Sequence, residues 1–491
     1  MKKIIPNIAI FLIVINTYSQ NSMQNDYEEW KSSKDEYENF DISKYYTPDI
    51  VRNQLSFNFN LNSDYSRSSS ESKRLNVYDE IVNDSDFSKN YFFSGNIASN
   101  FLHYVNTRRK ISDFRISLSL NDNYGYQKYN YSPSNNDYRN TDSVFLANHI
   151  GMRWSNKRYF SKSFYLIYAI NECSIDYNLF KKNSKYPLAE FKKKQNVFRF
   201  NFSPKLGIGY GRLEDVEDAR QAVYISNSLS KRNILTRNLT NEELFELSQQ
   251  ISTVKNKRFL DSRLHLIDEI STVDSFFVKK DLLNNNGVTY FTTLYDMWQY
   301  GALFSRKSGY EVSFWAYPNY IYEYSKFTTD ADGTYTSHKA FFETALIFNY
   351  EKPVKINWQH SLEAGGYAYF IQGKTGETDF NSIFSTHLKI FSAWTVYTLG
   401  YYPNTRTNIR ASVSQQIRKQ IDIYSLYSST STVYTPMLII NVDYYLSPYL
   451  RLAGNICTNY DYYHNKSSDV TFYKLNTFST IFNVQLIYSI F

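Results

Sequence analysis

The sequence predicts an all-β chain, a transmembrane antiparallel β-barrel of about 14 strands with an α-helical insertion between strands 6 and 7. Three observations predict it: apolar residues recur at a period of two along most of the chain, the opposite faces carry charge, and the connections alternate between short and long. Composition bounds the alternatives. With 47 Tyr, 36 Phe and 6 Trp among 491 residues, the chain is 18% aromatic, too rich in ring side chains to be disordered over most of its length. A mean hydropathy of −0.50 excludes a polytopic helical membrane protein. Two cysteines cannot make a disulfide framework.

Taken in chain order, Lys2 and Lys3 precede an apolar run from Ile4 to Ile15, and Thr17, Tyr18 and Ser19 supply small and polar residues before Gln20. That is the layout of a secretory signal peptide over residues 1–19. Export implies an oxidising environment, which raises the pairing of Cys173 with Cys457; the strand count puts them on strands that are not neighbours, so two free thiols are expected. Residues 20–52 mix Asp26, Glu28, Glu29, Asp35 and Glu36 with Tyr27, Trp30, Tyr37, Phe40 and Tyr45. This N-terminal periplasmic segment has two readings, an acidic plug entering a basic lumen or a mobile tail.

Strands 1–6 are expected within residues 53–212. Leu55, Phe57, Phe59 and Leu61 share one face, as do Phe114, Ile116, Leu118 and Leu120, and Phe198, Phe200, Phe202, Leu206, Ile208 and Tyr210. Strands 7–14 follow within 306–491, with apolar faces at Phe342, Leu346 and Phe348, at Leu388, Ile390, Trp394 and Val396, and at Phe482, Val484, Leu486 and Tyr488. The connections 106–110, 155–161, 351–355, 403–404 and 447–448 are short, whereas 63–89, 122–142 and 177–195 are long and rich in Asn, Asp, Ser and Tyr. Outer-membrane barrels alternate in this way, with short turns on the periplasmic side.

Residues 213–305 break the period. Val216, Ala219 and Val223 fall on one helical stripe, followed by Leu244, Leu247, Ile251 and Val254, and then by Leu266, Ile270, Val273 and Phe277. Thr240 with Glu243 makes a capping box, and Tyr290 to Trp298 reads as a further helix. Strand parity assigns this helical insertion to the periplasm. It serves either as a cap that braces the barrel or as a docking module for a periplasmic protein partner.

The candidate pore-lining residues are Asp113, Arg115, Arg153, Arg199, Lys205, Glu343, Glu363, Lys389, Arg410, Arg418, Asp443 and Arg451, opposite the apolar faces. They give either a polar pore with a mild anion bias or an interior knitted shut by ion pairs. No catalytic or metal-binding motif accompanies them. The seven His are scattered, without an H-x-x-x-H spacing, and His149 and His387 read as wall residues; no cofactor is expected, and the chain is not read as an enzyme. The net charge of +7, modest for this length, does not indicate nucleic-acid binding.

From signal peptide to final residue, the chain resembles the outer-membrane β-barrel proteins of Bacteroidota, which are likewise rich in Asn, Tyr, Lys and Phe. Its end, with Tyr488 and Phe491 on the last strand, resembles the signal read by the barrel assembly machinery. The resemblance implies the outer membrane of a Gram-negative cell, with outer-membrane lipid around the wall. Two functions are expected from these features: a porin-like channel for polar or anionic solutes, or a non-transporting anchor whose insertion docks a periplasmic or cell-wall partner.

Overall fold

The computed structural model of the chain describes residues 37, 40–75, 81–130, 138–185, 190–257, 266–284, 287–300, 305–328, 333–377, 384–423, 428–447, 450–467 and 472–488. The expected signal peptide at 1–19 and Phe491 lie outside them. Fourteen strands form one antiparallel sheet in sequence order: β1 (Ile50–Leu75), β2 (Ile81–Asn106), β3 (Lys110–Asn130), β4 (Tyr138–Tyr159), β5 (Phe164–Lys185), β6 (Glu190–Asp215), β7 (Lys307–Thr328), β8 (Gly333–Val354), β9 (Trp358–Glu377), β10 (Phe384–Tyr401), β11 (Thr407–Ile423), β12 (Ser428–Ser447), β13 (Leu450–Ser467) and β14 (Phe472–Tyr488). Each strand pairs with the next, and among the described residues no pairing joins β1 to β14.

Between β6 and β7 the described residues form four helices: α1 (Glu217–Lys231), α2 (Asn241–Lys255), α3 (Leu266–Lys279) and α4 (Val288–Tyr300). The Thr240 hydroxyl accepts from the Glu243 amide while the Glu243 carboxylate accepts from the Thr240 amide, so the predicted capping box starts α2. The predicted stripes form a core: Ala219, Val223, Leu244, Leu247, Ile251, Val273 and Phe277 are all fully buried. The segment read as a further helix is α4, with Tyr290, Leu294 and Trp298 turned into the same core.

The strands obey the opposite rule. Phe57, Phe59, Leu61, Leu206, Ile208, Phe482 and Leu486 are exposed on one face, while Ser174, Asn201, Ser203 and Ser313 are buried on the other. The polar face is concave. Lys157 of β4 bonds Glu311 of β7 although three strand spacings separate them, about 14 Å in a flat sheet. Arg212, near the end of β6, reaches Asn106 Oδ1 of β2 at 2.6 Å across four spacings, about 19 Å if flat. Only a sheet curled around its polar side permits both contacts.

The long connections expected at 63–89, 122–142 and 177–195 are mostly strand instead. β1 and β2 pair as far as Leu75↔Ile81, and β5 and β6 as far as Lys185↔Glu190. Where both faces meet water the apolar period disappears, yet the backbone ladder continues. The two thiols are free and far apart in strand order, Cys173 on the apolar face of β5 and Cys457 on the polar face of β13.

Candidate functional site

The β2–β3, β4–β5, β8–β9, β10–β11 and β12–β13 connections, those expected to be short, fall at one end of the sheet, and so do the helices. Two buried arginines fasten the helical module there. Arg220 of α1 donates to Asn404 O at 3.1 Å, in the β10–β11 turn, and its guanidinium lies 4.9 Å from the Tyr224 ring and 5.1 Å from Tyr402. Arg306, just before β7, donates to Ile356 O, to Trp358 O at 2.6 Å and to Gln359 Oε1 at 3.1 Å, holding the β8–β9 turn. Ile356 of that turn joins the module's core. At the edge, Arg406 meets Asp296 of α4 at 3.4 Å.

Glycine makes the exit from β6 possible. Gly211 has φ +100° and Gly309, across the ladder, φ +115°; a Cβ on either would stand within 2.3 Å of a neighbouring carbonyl oxygen. Beyond Gly211 the Arg212 guanidinium lies 5.0 Å from the Tyr159 ring, donates to Thr107 O at 3.0 Å and pairs with Glu214 at 2.8 Å. Arg108 of the β2–β3 turn also bonds Glu214 at 2.8 Å, and its amide donates to Asp49 Oδ1 at 3.1 Å.

The N-terminal segment belongs to this assembly. A 3₁₀ turn at Ile42–Lys44 is followed by Tyr45, whose hydroxyl lies 2.7 Å from Ser252 Oγ and donates to Ser248 O at 3.3 Å, both on α2. The Leu239 amide donates to the Tyr37 hydroxyl at 2.9 Å, and the Phe40 and Phe245 rings are 4.9 Å apart. Tyr37, Phe40, Ile42 and Tyr45 thus dock on the helical module while Tyr46, Thr47 and Asp49 meet Arg108 and the end of β6, and neither the plug nor the mobile tail describes them. Burial raises the Tyr45 hydroxyl pKa further above its ordinary range. At the start of α1, burial and the adjacent Asp218 push the Glu217 carboxyl up to about 7, with Lys255 opposing. Arg237 and the Thr240 amide hold Glu243 down at about 2.

Large side chains fill part of the polar face. Tyr165, fully buried, donates to Glu311 Oε1 at 2.6 Å, and its ring covers Gly209, where a Cβ would meet ring atoms at 2.2 Å. The Lys205 ammonium lies 3.7 Å from the Trp315 ring centroid, and Tyr317 donates to Glu343 Oε2 at 2.5 Å. Elsewhere on the polar face the charged groups are paired but more exposed: Arg115 with Asp113 at 2.7 Å, and Arg199 with Glu323 at 2.6 Å. Arg410 and Arg451 share Asp443 at 3.7 Å each. Arg153 donates to Asn171 O at 2.9 Å, Arg418 to Gln420 Oε1 at 3.0 Å, and Glu363 accepts from the Trp394 indole at 2.7 Å.

Eleven of the twelve sequence-predicted polar-face residues therefore share the concave side, and Lys389 does not. The predicted faces of β10 are exchanged: the pairings Trp394↔Gly365 and Ser392↔Tyr367 put the even-numbered residues on the polar side, so Lys389 and His387 lie on the outer face with Phe391 and Tyr397. His149 Nδ1 lies 2.6 Å from Asp176 Oδ1, but the nearby Ser117 hydroxyl donates to Gly151 O at 3.4 Å, so serine, histidine and aspartate form no hydrogen-bonded chain. Sequence reading assigned no role to Arg212, Arg220 and Arg306. Tyr488 lies on the exposed face of β14.

No protein-family profile matches the chain, and no curated protein matches it in sequence. Among solved structures it is similar to the transport unit of the autotransporter AIDA-I from Escherichia coli, at 9% identity and a TM-score of 0.25, over 81% of this chain and 90% of that one. An overlap that loose leaves the fold to rest on this chain's own strand pairing.

Proposed function

We propose that the protein is an outer-membrane β-barrel whose helical module occupies the periplasmic end, anchoring that module to the membrane. One observation carries the membrane reading: the inversion of the wall, with Leu206 68% exposed on one face and Ser203 fully buried on the other. In water such a face would drive aggregation; in lipid it is the solvated side. On β6 the outer apolar run from Phe198 to Tyr210 spans twelve residue steps, about 40 Å of strand. At the tilt of about 40° usual for barrel strands, that run rises about 30 Å, the thickness of a bilayer core.

What favours an anchor over a channel is how the module is fastened to the wall. Arg220 and Arg306, each at most 2% exposed, bind the β10–β11 and β8–β9 turns, and Ile356 of the latter joins the module's core. The mixed charge of Asp113, Arg115, Arg153, Arg199 and Arg418 on the polar face is the feature that favours a porin-like pore for polar solutes. Planar-bilayer recording separates the two. The anchor reading expects a silent barrel that begins to conduct when residues 216–305 are replaced by a short turn; steady conductance from the full chain would overturn it in favour of the channel.

A further inference from the structure

We propose that the outer faces of β5, β6 and β7, at the end away from the helices, form a binding site for the phosphorylated headgroup, anionic overall, of a lipid in the surrounding leaflet; this rests on the membrane reading above. The pairing registers stack the outer face in rows. Tyr177, Phe198 and Tyr324 lie side by side, the last ring-bearing row of the apolar band. Next come Leu179, Asn196 and Lys326, then Lys181, Lys194 and Thr328, then Asn183 and Lys192. Four lysines, all exposed, therefore gather within three rows above the aromatic belt. In a membrane barrel that belt marks the interface, and the level above it is where headgroups lie.

Their arrangement is costly without an anion. Lys181 is directly opposite Lys194, and on the polar side Lys182 is directly opposite Lys193, an arrangement that destabilises a ladder by like-charge repulsion. Among the described residues, Glu190, 3.7 Å from Lys192, and Asp142 in the groove lining bring opposite charge to the patch. A shallow groove of ≈ 310 Å³ lies among Asp142, Val144, Lys181, Lys192 and Lys194. Cross-strand neighbours stand about 5 Å apart and diagonal ones about 7 Å apart, so several flexible ammonium groups can converge on one phosphate at that level.

The test uses the full chain folded in detergent with equal amounts of phosphatidylglycerol and phosphatidylcholine, and retained lipid counted by native mass spectrometry. Insertion into phosphatidylcholine vesicles, read as heat-modifiable migration, is measured in parallel. The site predicts an enrichment of phosphatidylglycerol of about tenfold, falling to within about twofold of parity in Lys181→Gln/Lys192→Gln/Lys194→Gln and unchanged in Lys419→Gln on the outer face of β11. Equal retention of the two lipids, or an enrichment that survives the triple substitution, overturns the site and leaves the membrane reading standing. Failure to insert into vesicles overturns the membrane reading itself, and the site with it.

Discussion

The wall and the helical module are made from one chain but sorted by opposite rules. In the module, Leu244, Leu247 and Ile251 are fully buried and Lys280 and Glu246 pair at the surface. In the wall, Phe57 and Phe482 are more than 60% exposed while Ser203 is fully buried. The comparison teaches that burial by itself does not identify a core; what matters is which side of the backbone water occupies. Under the proposed membrane placement, the chain crosses from one solvent to the other where β6 ends, at the Gly211 and Arg212 exit.

The largest expected effect tests the module's half of this comparison. Phe277→Ala removes a fully buried ring from the junction of α3 with the rest of the core and should cost about 3–5 kcal/mol of module stability. Thermal unfolding followed by helical circular dichroism should show the loss, with heat-modifiable migration of the wall unchanged. Equal loss in both signals would mean that wall and module fold as one cooperative unit.

The wall's half is tested by Leu206→Arg. In water, a substitution at this exposed position would change stability by about 0.5 kcal/mol or less. Facing the middle of a bilayer, the same guanidinium should cost about 2–4 kcal/mol. Urea unfolding from vesicles measures the difference, and an indifferent Leu206→Arg would remove lipid from the outer face.

Much of this division was legible in the sequence, because period two and period 3.6 are directly visible in 198–210 and 244–254. Two features were hidden. β10 carries apolar residues on both faces, Ile390 and Trp394 on one and Phe391 and Tyr397 on the other, so alternation alone could not orient it. The deciding contacts are long-range: the Trp394 ring covers Gly365 of β9, and its indole donates to Glu363. The extensions of β1, β2, β5 and β6 were hidden for the converse reason, since water on both faces leaves no period to read. The fastening arginines sit beside turns and are recognised only by the carbonyls they meet.

Acid–base behaviour sharpens the junction between the two regions. Glu217, an ordinary carboxyl at 4.5 when unfolded, titrates at about 7 in the folded module, mainly because it is buried. Between those values the folded state holds a proton that the unfolded chain has released, so module stability falls as pH rises through this window and is lowest above about 7. Glu217→Gln should flatten the dependence and raise stability at pH 8 by about 1–3 kcal/mol. An unchanged pH profile in Glu217→Gln would assign the titration to another group.

The smallest expected effect concerns the N-terminal strap, which joins the water-sorted core just before the chain enters β1. Tyr45 brings its ring into that core and its hydroxyl to Ser252 Oγ and Ser248 O. Tyr45→Phe keeps the ring and removes the hydroxyl, so it should cost only about 1 kcal/mol of module stability. A plug or a mobile tail would register no change at all. Combining it with Ser252→Ala tests the contact itself: because the two hydroxyls are partners, the double variant should lose less than the two single losses together, by about 0.5 kcal/mol or more. Strict additivity would mean that Ser252 is held by Asp218 alone and that the strap docks through its rings.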